Sequence, residues 1–175
     1  MSWSRPRLAI ALLAATTMLG GCGFRPLYAP RGPQDWDPAL AAISVSPIRD
    51  RQGQILELAL REDLNPGGLA VQPRWVLSTQ LSVYRQDLGI QRNATATSSE
   101  ITVSASYSLF DTKTGKTVYN GSSQAIGDFN QLNDAYATQV GADSAQDRAL
   151  HEVAEEMTTR MALFVRAQEQ KTAAP

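Results

Sequence analysis

The 175-residue chain is 43% hydrophobic, 19% charged and 7% aromatic, with 16 Lys and Arg against 17 Asp and Glu. This is a globular composition that excludes a collagen, a coiled coil and a polytopic membrane protein, and it lacks the basic footprint a nucleic-acid groove requires. A single cysteine and a single histidine allow no internal disulfide and leave little from which to build a metal site, so neither metal nor cofactor is expected.

Arg5 and Arg7 precede an uncharged apolar run from Leu8 to Leu19, which Gly20, Gly21 and Cys22 close. A run this short cannot cross about 30 Å of hydrocarbon. A charged start, an apolar middle and a small-residue end instead make residues 1–21 an export signal. The site resembles a bacterial lipobox, with Leu19 at minus three and Gly21 at minus one, so Cys22 is the expected lipidation site and new amino terminus. Gly23 follows it, and the absence of Asp there fits lipoproteins passed on to the outer membrane. Each buried methylene adds roughly 0.8 kcal/mol, so several acyl chains hold where one is marginal.

Residues 22–40 read as a tether, with Pro26, Pro30 and Pro33 separating apolar pegs at Phe24, Leu27, Tyr28 and Trp36. A single domain is expected over residues 41–168 and a frayed tail over 169–175. Ile43 and Val45 alternate with serines and read as a short strand, which Pro47 either ends or marks as lying at an edge. Asp50 is placed to cap a helix with Ile55, Leu56, Ala59, Leu60 and Leu64 on its apolar stripe, stopped by Asn65-Pro66-Gly67-Gly68.

The period then changes to two. Trp75, Leu77, Thr79, Leu81 and Val83 oppose Val76, Ser78, Gln80 and Ser82; Ile101, Val103, Ala105, Tyr107 and Leu109 oppose Thr102, Ser104, Ser106 and Ser108. A turn at residues 111–115 leads to a third strand of this meander near residues 117–126. Residues 127–143 are too long for an ordinary connection and are expected as a functional or packed loop. Asp143 or Ser144 then caps a last helix that buries Leu150, Val153, Ala154, Met157, Met161, Phe164 and Val165 and pairs Glu156 with Arg160. The expected fold is α+β: a four-stranded, mainly antiparallel sheet with two helices packed on one face, in the order β-α-β-β-β-α.

Catalytic motifs are missing. His151-Glu152-Val153-Ala154-Glu155 has Glu155 where a zinc helix needs its second histidine, which leaves His151 a surface residue. Gly115-Lys116-Thr117 copies the end of a P-loop, yet Phe110 holds the first glycine position. There is no nucleophile elbow, and an enzyme is not expected.

With the lipobox in place, Cys22-Gly23-Phe24-Arg25-Pro26-Leu27-Tyr28 resembles the mature start of the LptE family of lipopolysaccharide-assembly lipoproteins. The likeness continues through Ile43-Ser44-Val45-Ser46-Pro47-Ile48, Asp50-Arg51-Gln52-Gly53-Gln54, and Leu56, Leu60 and Leu64. It returns in Tyr107-Ser108-Leu109-Phe110-Asp111, Phe129-Asn130, Ala135-Tyr136-Ala137 and Asp147-Arg148-Ala149-Leu150. The resemblance implies two helices on a four-stranded sheet, in agreement with the order read from the pattern. It also implies a non-catalytic lipoprotein that plugs the outer-membrane β-barrel of the lipopolysaccharide translocon, helps that barrel assemble and assists insertion of lipopolysaccharide into the outer leaflet. The domain is then expected inside the barrel lumen or on the periplasmic side. Where relatives often carry an Arg before the strand at Ile101, this chain has Ser98-Ser99-Glu100, so no basic ligand contact carries over there.

Ser78, Gln80, Ser82, Thr102, Ser104, Ser106 and Ser108 make an uncharged face of hydroxyls and amides. It suits a polar barrel interior or, equally, the wet side of an antiparallel sheet. Lipopolysaccharide carries phosphates and acidic sugars, which call for exposed arginine. Arg85 and Arg92, expected to bracket the connection between the first two meander strands, are the candidates; Lys113 and Lys116 fall at the opposite end of the sheet. The alternative function is a lipid-anchored periplasmic binding or adaptor module that uses the 127–143 loop and has no barrel partner.

Overall fold

The computed structural model describes residues 38–68, 72–90 and 96–173; the lipobox, the tether to residue 37 and Arg92 lie outside them. One helical turn, α1 (Pro38–Ala41), leads into β1 (Ile43–Val45), α2 (Asp50–Leu64), the meander β2 (Trp75–Ile90), β3 (Ala96–Asp111) and β4 (Lys116–Asn130), and α3 (Ala135–Ala173). The sheet order is β1-β2-β3-β4, parallel between β1 and β2 and antiparallel elsewhere. The expected α+β class and element order hold, with α1 added in front.

The core lies between one sheet face and the two longer helices. Leu56, Leu60, Leu77, Val103, Leu109, Leu150, Val153, Met157, Met161 and Val165 are fully buried there. These residues recur at helical spacing in α2 and α3 and at every second position in the strands, which brings each apolar stripe against the other. At about 25 cal/mol per Å² of apolar surface, burial of such a layer is the main favourable contribution to folding. Tyr119 and the partly buried Phe164 pack with ring centroids 5.4 Å apart, and Trp75 meets Phe164 edge-on at 6.4 Å. Gly121 stands opposite Tyr107 in the ladder, and a Cβ there would lie 2.9 Å from the tyrosine ring, so the missing side chain gives that ring its place.

Several boundaries differ from the sequence reading. Asp50 does not cap α2. Arg49 occupies the cap position with extended backbone and no side-chain cap, while Asp50 takes φ of 67°, a left-handed conformation that Asp tolerates better than most residues. The approach to the helix is tied instead by Glu57, whose Oε2 accepts from the Ile48 N–H at 3.1 Å. The stretch read as a loop over 127–143 is strand to Asn130 and helix from Ala135. Gly127, taken as the start of that loop, continues the period of two: a Cβ there would lie 2.5 Å from the Ala145 carbonyl oxygen, so only glycine lets α3 lie this close to β4. The cap of α3 is Asp134, not Asp143 or Ser144; its Oδ1 accepts from the N–H groups of Tyr136 at 2.8 Å and Ala137 at 3.1 Å. Helical backbone also continues through residues 169–173, expected as tail.

Candidate functional site

The uncharged residues singled out from the sequence share one face. Ser78 pairs with Ser108, which pairs with Asn120; Gln80, Ser106 and Ser122 form the next row, and Ser82, Ser104 and Gln124 the third. Their strand neighbours Leu77, Val103, Ala105 and Leu109 are buried under the helices, so alternation turns these rows the other way. Thr102 lies in the fourth row, between Tyr84 and Ile126. Asn120, Ser122 and Gln124 were not identified in the sequence reading, although they too are uncharged and alternate along β4.

Apolar side chains bound this zone. Phe110 is exposed at one end and Tyr84 and Ile126 at the other. Beyond them Glu100 stands directly opposite Asp128. Like charges so placed weaken bare pairing, and Thr102 Oγ1 donates to Glu100 Oε1 at 3.3 Å. The hydroxyl and amide zone therefore ends in an acidic row.

Arg85 lies within β2, not in the connection after it, because β2 and β3 stay paired past Asp87 and Ser99. The connection expected between Arg85 and Arg92 therefore starts later, after Ile90. By alternation Arg85 points to the helix side, where the guanidinium carbon sits 4.6 Å from the centre of the Phe129 ring and Nε lies 3.9 Å from Asp87 Oδ1. The same Asp87 oxygen accepts from Ser99 Oγ at 2.6 Å and from Gln131 Nε2 at 3.0 Å. Arg85 is thus an oriented, half-exposed cation at the β2–β3 end of the sheet. Lys113 lies in the turn at the other end, where Asp111 Oδ1 accepts from the Lys113 N–H at 2.7 Å.

His151 is exposed on α3. Among the described residues, no group of three or more His, Cys, Asp and Glu is placed to hold a metal ion, and no helix is long and apolar enough to cross a membrane.

The profile of the LptE family, described as lipopolysaccharide-assembly, matches residues 40–163. The chain belongs to the LptE family. Its match begins at α1 and takes in every strand and most of α3, so the LptE assignment covers the whole sheet and its helical layer. Solved structures with the same fold include a putative lipoprotein from Caulobacter crescentus, at 23% identity and a TM-score of 0.60, covering 77% of this chain and 98% of that one. The minor lipoprotein from Acinetobacter baumannii is 15% identical with a TM-score of 0.57, covering 69% of this chain and 90% of its own. The rare lipoprotein B from Shewanella oneidensis is also 15% identical, with a TM-score of 0.56 and coverage of 73% and 96%. At these identities the likeness is one of fold. No curated protein matches the chain.

Proposed function

We propose that this LptE-family chain is an outer-membrane lipoprotein, anchored through lipid on Cys22, that acts as plug and assembly partner of the translocon β-barrel and assists insertion of lipopolysaccharide into the outer leaflet. In this reading it is not a catalyst: it supplies surfaces. The observation that carries the proposal is the uncharged sheet face, which runs across three strands and is left bare by both long helices. A barrel lumen is polar and rich in hydrogen-bonding groups, and a face of hydroxyls and amides enters it without desolvating ions. Arg85, oriented by Phe129 and Asp87, is the proposed contact for a lipopolysaccharide phosphate; Arg92 remains its proposed companion.

The alternative of a periplasmic adaptor relied on a long recognition loop over residues 127–143, and most of that segment is strand and helix. Detergent extraction of the membrane with the tagged full chain separates the two readings. A plug co-purifies one-to-one with a large barrel protein; recovery of the chain without one would reject the plug.

A further inference from the structure

The two edges of the sheet are finished differently. On β4 the edge is bordered by α3: Arg160 donates to the Glu156 carboxylate and holds it below the usual carboxylate range, and the two side chains line one pocket with Ser122, Ser123 and Gln124. On the other side β1 covers β2 only as far as Leu77, whose carbonyl accepts from Ser46 N–H at 2.9 Å. Pro47 and α2 then carry the chain away. From Thr79 to Arg85 no strand among the described residues pairs with the outer side of β2.

The geometry of that edge is set by parity. Trp75 N–H donates to Ala42 and Leu77 accepts from Ser46, so the N–H and C=O groups of Thr79, Leu81, Val83 and Arg85 point the same way, off the sheet. A cleft of about 540 Å³ separates residues 79–81 from Pro47, Ile48, Arg49 and Asp50. Thr79 Oγ1 is buried beside it without a hydrogen-bond partner. The stretch from Val76 to Tyr84 carries no charge and no proline. Native proteins seldom leave so long an uncharged edge bare.

We propose that this edge receives an extended segment of a partner polypeptide as a fifth strand alongside Thr79–Arg85, in line with β1. The chemistry of the segment follows from what the edge already holds. Ile43 and Val45 of β1 are buried on the helix side and Ser44 faces outward. Further along, Leu81 is only partly covered and Val83 is 36% exposed on the helix side, while Gln80 and Ser82 lie on the other. The matching strand alternates apolar residues toward the helices with small polar residues outward. Residues 23–37 of this chain are poor occupants, because Pro26, Pro30 and Pro33 each lack the N–H a ladder needs. A second copy paired antiparallel over the same stretch would set each Arg85 opposite Thr79 of the other and desolvate a guanidinium at the cleft.

The test uses the full chain in detergent and a synthetic peptide in which valine and serine alternate between terminal lysines. Saturable binding is expected, with amide exchange slowed at Thr79, Leu81, Val83 and Arg85 and unchanged at Ser78, Gln80 and Ser82, which already bond to β3. Val83→Pro removes one edge donor without touching the β2–β3 ladder and should weaken binding about tenfold, equivalent to about 1.4 kcal/mol. Val83→Lys, a charge on the edge, should do the same and serves if the proline variant melts lower. No binding, binding by both variants as tight as that of the parent chain, or slowed exchange at the even-numbered amides would overturn the proposal. So would the odd-numbered pattern arising in the free chain as its concentration rises, which would identify a second copy as the occupant.

Discussion

Gly127 of β4 and Ala145 of α3 approach so closely that a Cβ on the glycine would stand 2.5 Å from the alanine's carbonyl oxygen. The obstacle is helix backbone, which cannot rotate aside as a side chain can. Gly127→Ala should therefore cost about 1–3 kcal/mol, as overpacking does, seen as a lower urea midpoint at unchanged slope. Gly141 is the control: its added Cβ would meet only Phe129 Cβ at 3.9 Å. Gly141→Ala should stabilise α3 by roughly 0.5–1 kcal/mol.

Asp63 gives a pH signature of opposite sign to an ordinary paired carboxylate. Although its side chain reaches solvent, its carboxyl is held above the usual range, first by partial desolvation and then by Glu155 and Glu62, with His151 opposing. Ionising Asp63 therefore costs the folded state more than the unfolded one. Its contribution falls as pH rises from the unfolded value of 3.8 through the raised folded value. Asp63→Asn should remove that decline and leave the protein more stable at neutral pH, which thermal melts across pH 3 to 7 would show.

Ser104→Arg and Ser106→Arg place a cation in the middle of the uncharged face. Each should change stability by within about 0.5 kcal/mol, as surface substitutions do, while reducing co-purification with the barrel. Normal capture of both variants would leave that face merely solvated.

Arg85→Gln keeps a polar side chain over Phe129 and removes the charge. Binding of lipopolysaccharide should weaken by roughly 1.5–3 kcal/mol, the scale of a hydrogen bond to a charged group, with barrel capture unchanged. Titration of the variant and parent with lipopolysaccharide, alongside a charge change at Arg166 on α3, checks both parts.

Cys22→Ala should abolish acyl labelling and membrane fractionation. The fold of residues 38–173 should be unaffected, because every described strand and helix lies after that cysteine. Circular dichroism and fractionation of the variant read the two outcomes separately.

Where a segment had one buried stripe, its type could be read directly from the residues. Leu56, Leu60 and Leu64 gave α2, Ile101 to Leu109 gave β3, and Leu150 to Val165 gave the buried part of α3. The misread segments were those whose logic is a contact with another element. Gly127 is a loop residue by composition and a close-packing residue only because Ala145 crosses it. The first turns of α3, with Gly141, Asp143 and Ser144, lack a strong stripe, so a cap at Asp134 had no apolar pattern to announce it. The polar face was legible because serines alternated with buried residues. The place of Arg85 was not, because polar residues on both sides hid the continued pairing of β2 with β3.

The short parallel pair also gives the fold a mechanical weak point. β1 is held to β2 at only three residue positions, while β2 and β3 are laced together from Trp75 to Ile90. The chain enters this domain just ahead of β1, at Pro38. Any tension transmitted along the chain from a membrane anchor would load β1 and α1 first, and the long meander would keep its register after that small clasp had opened.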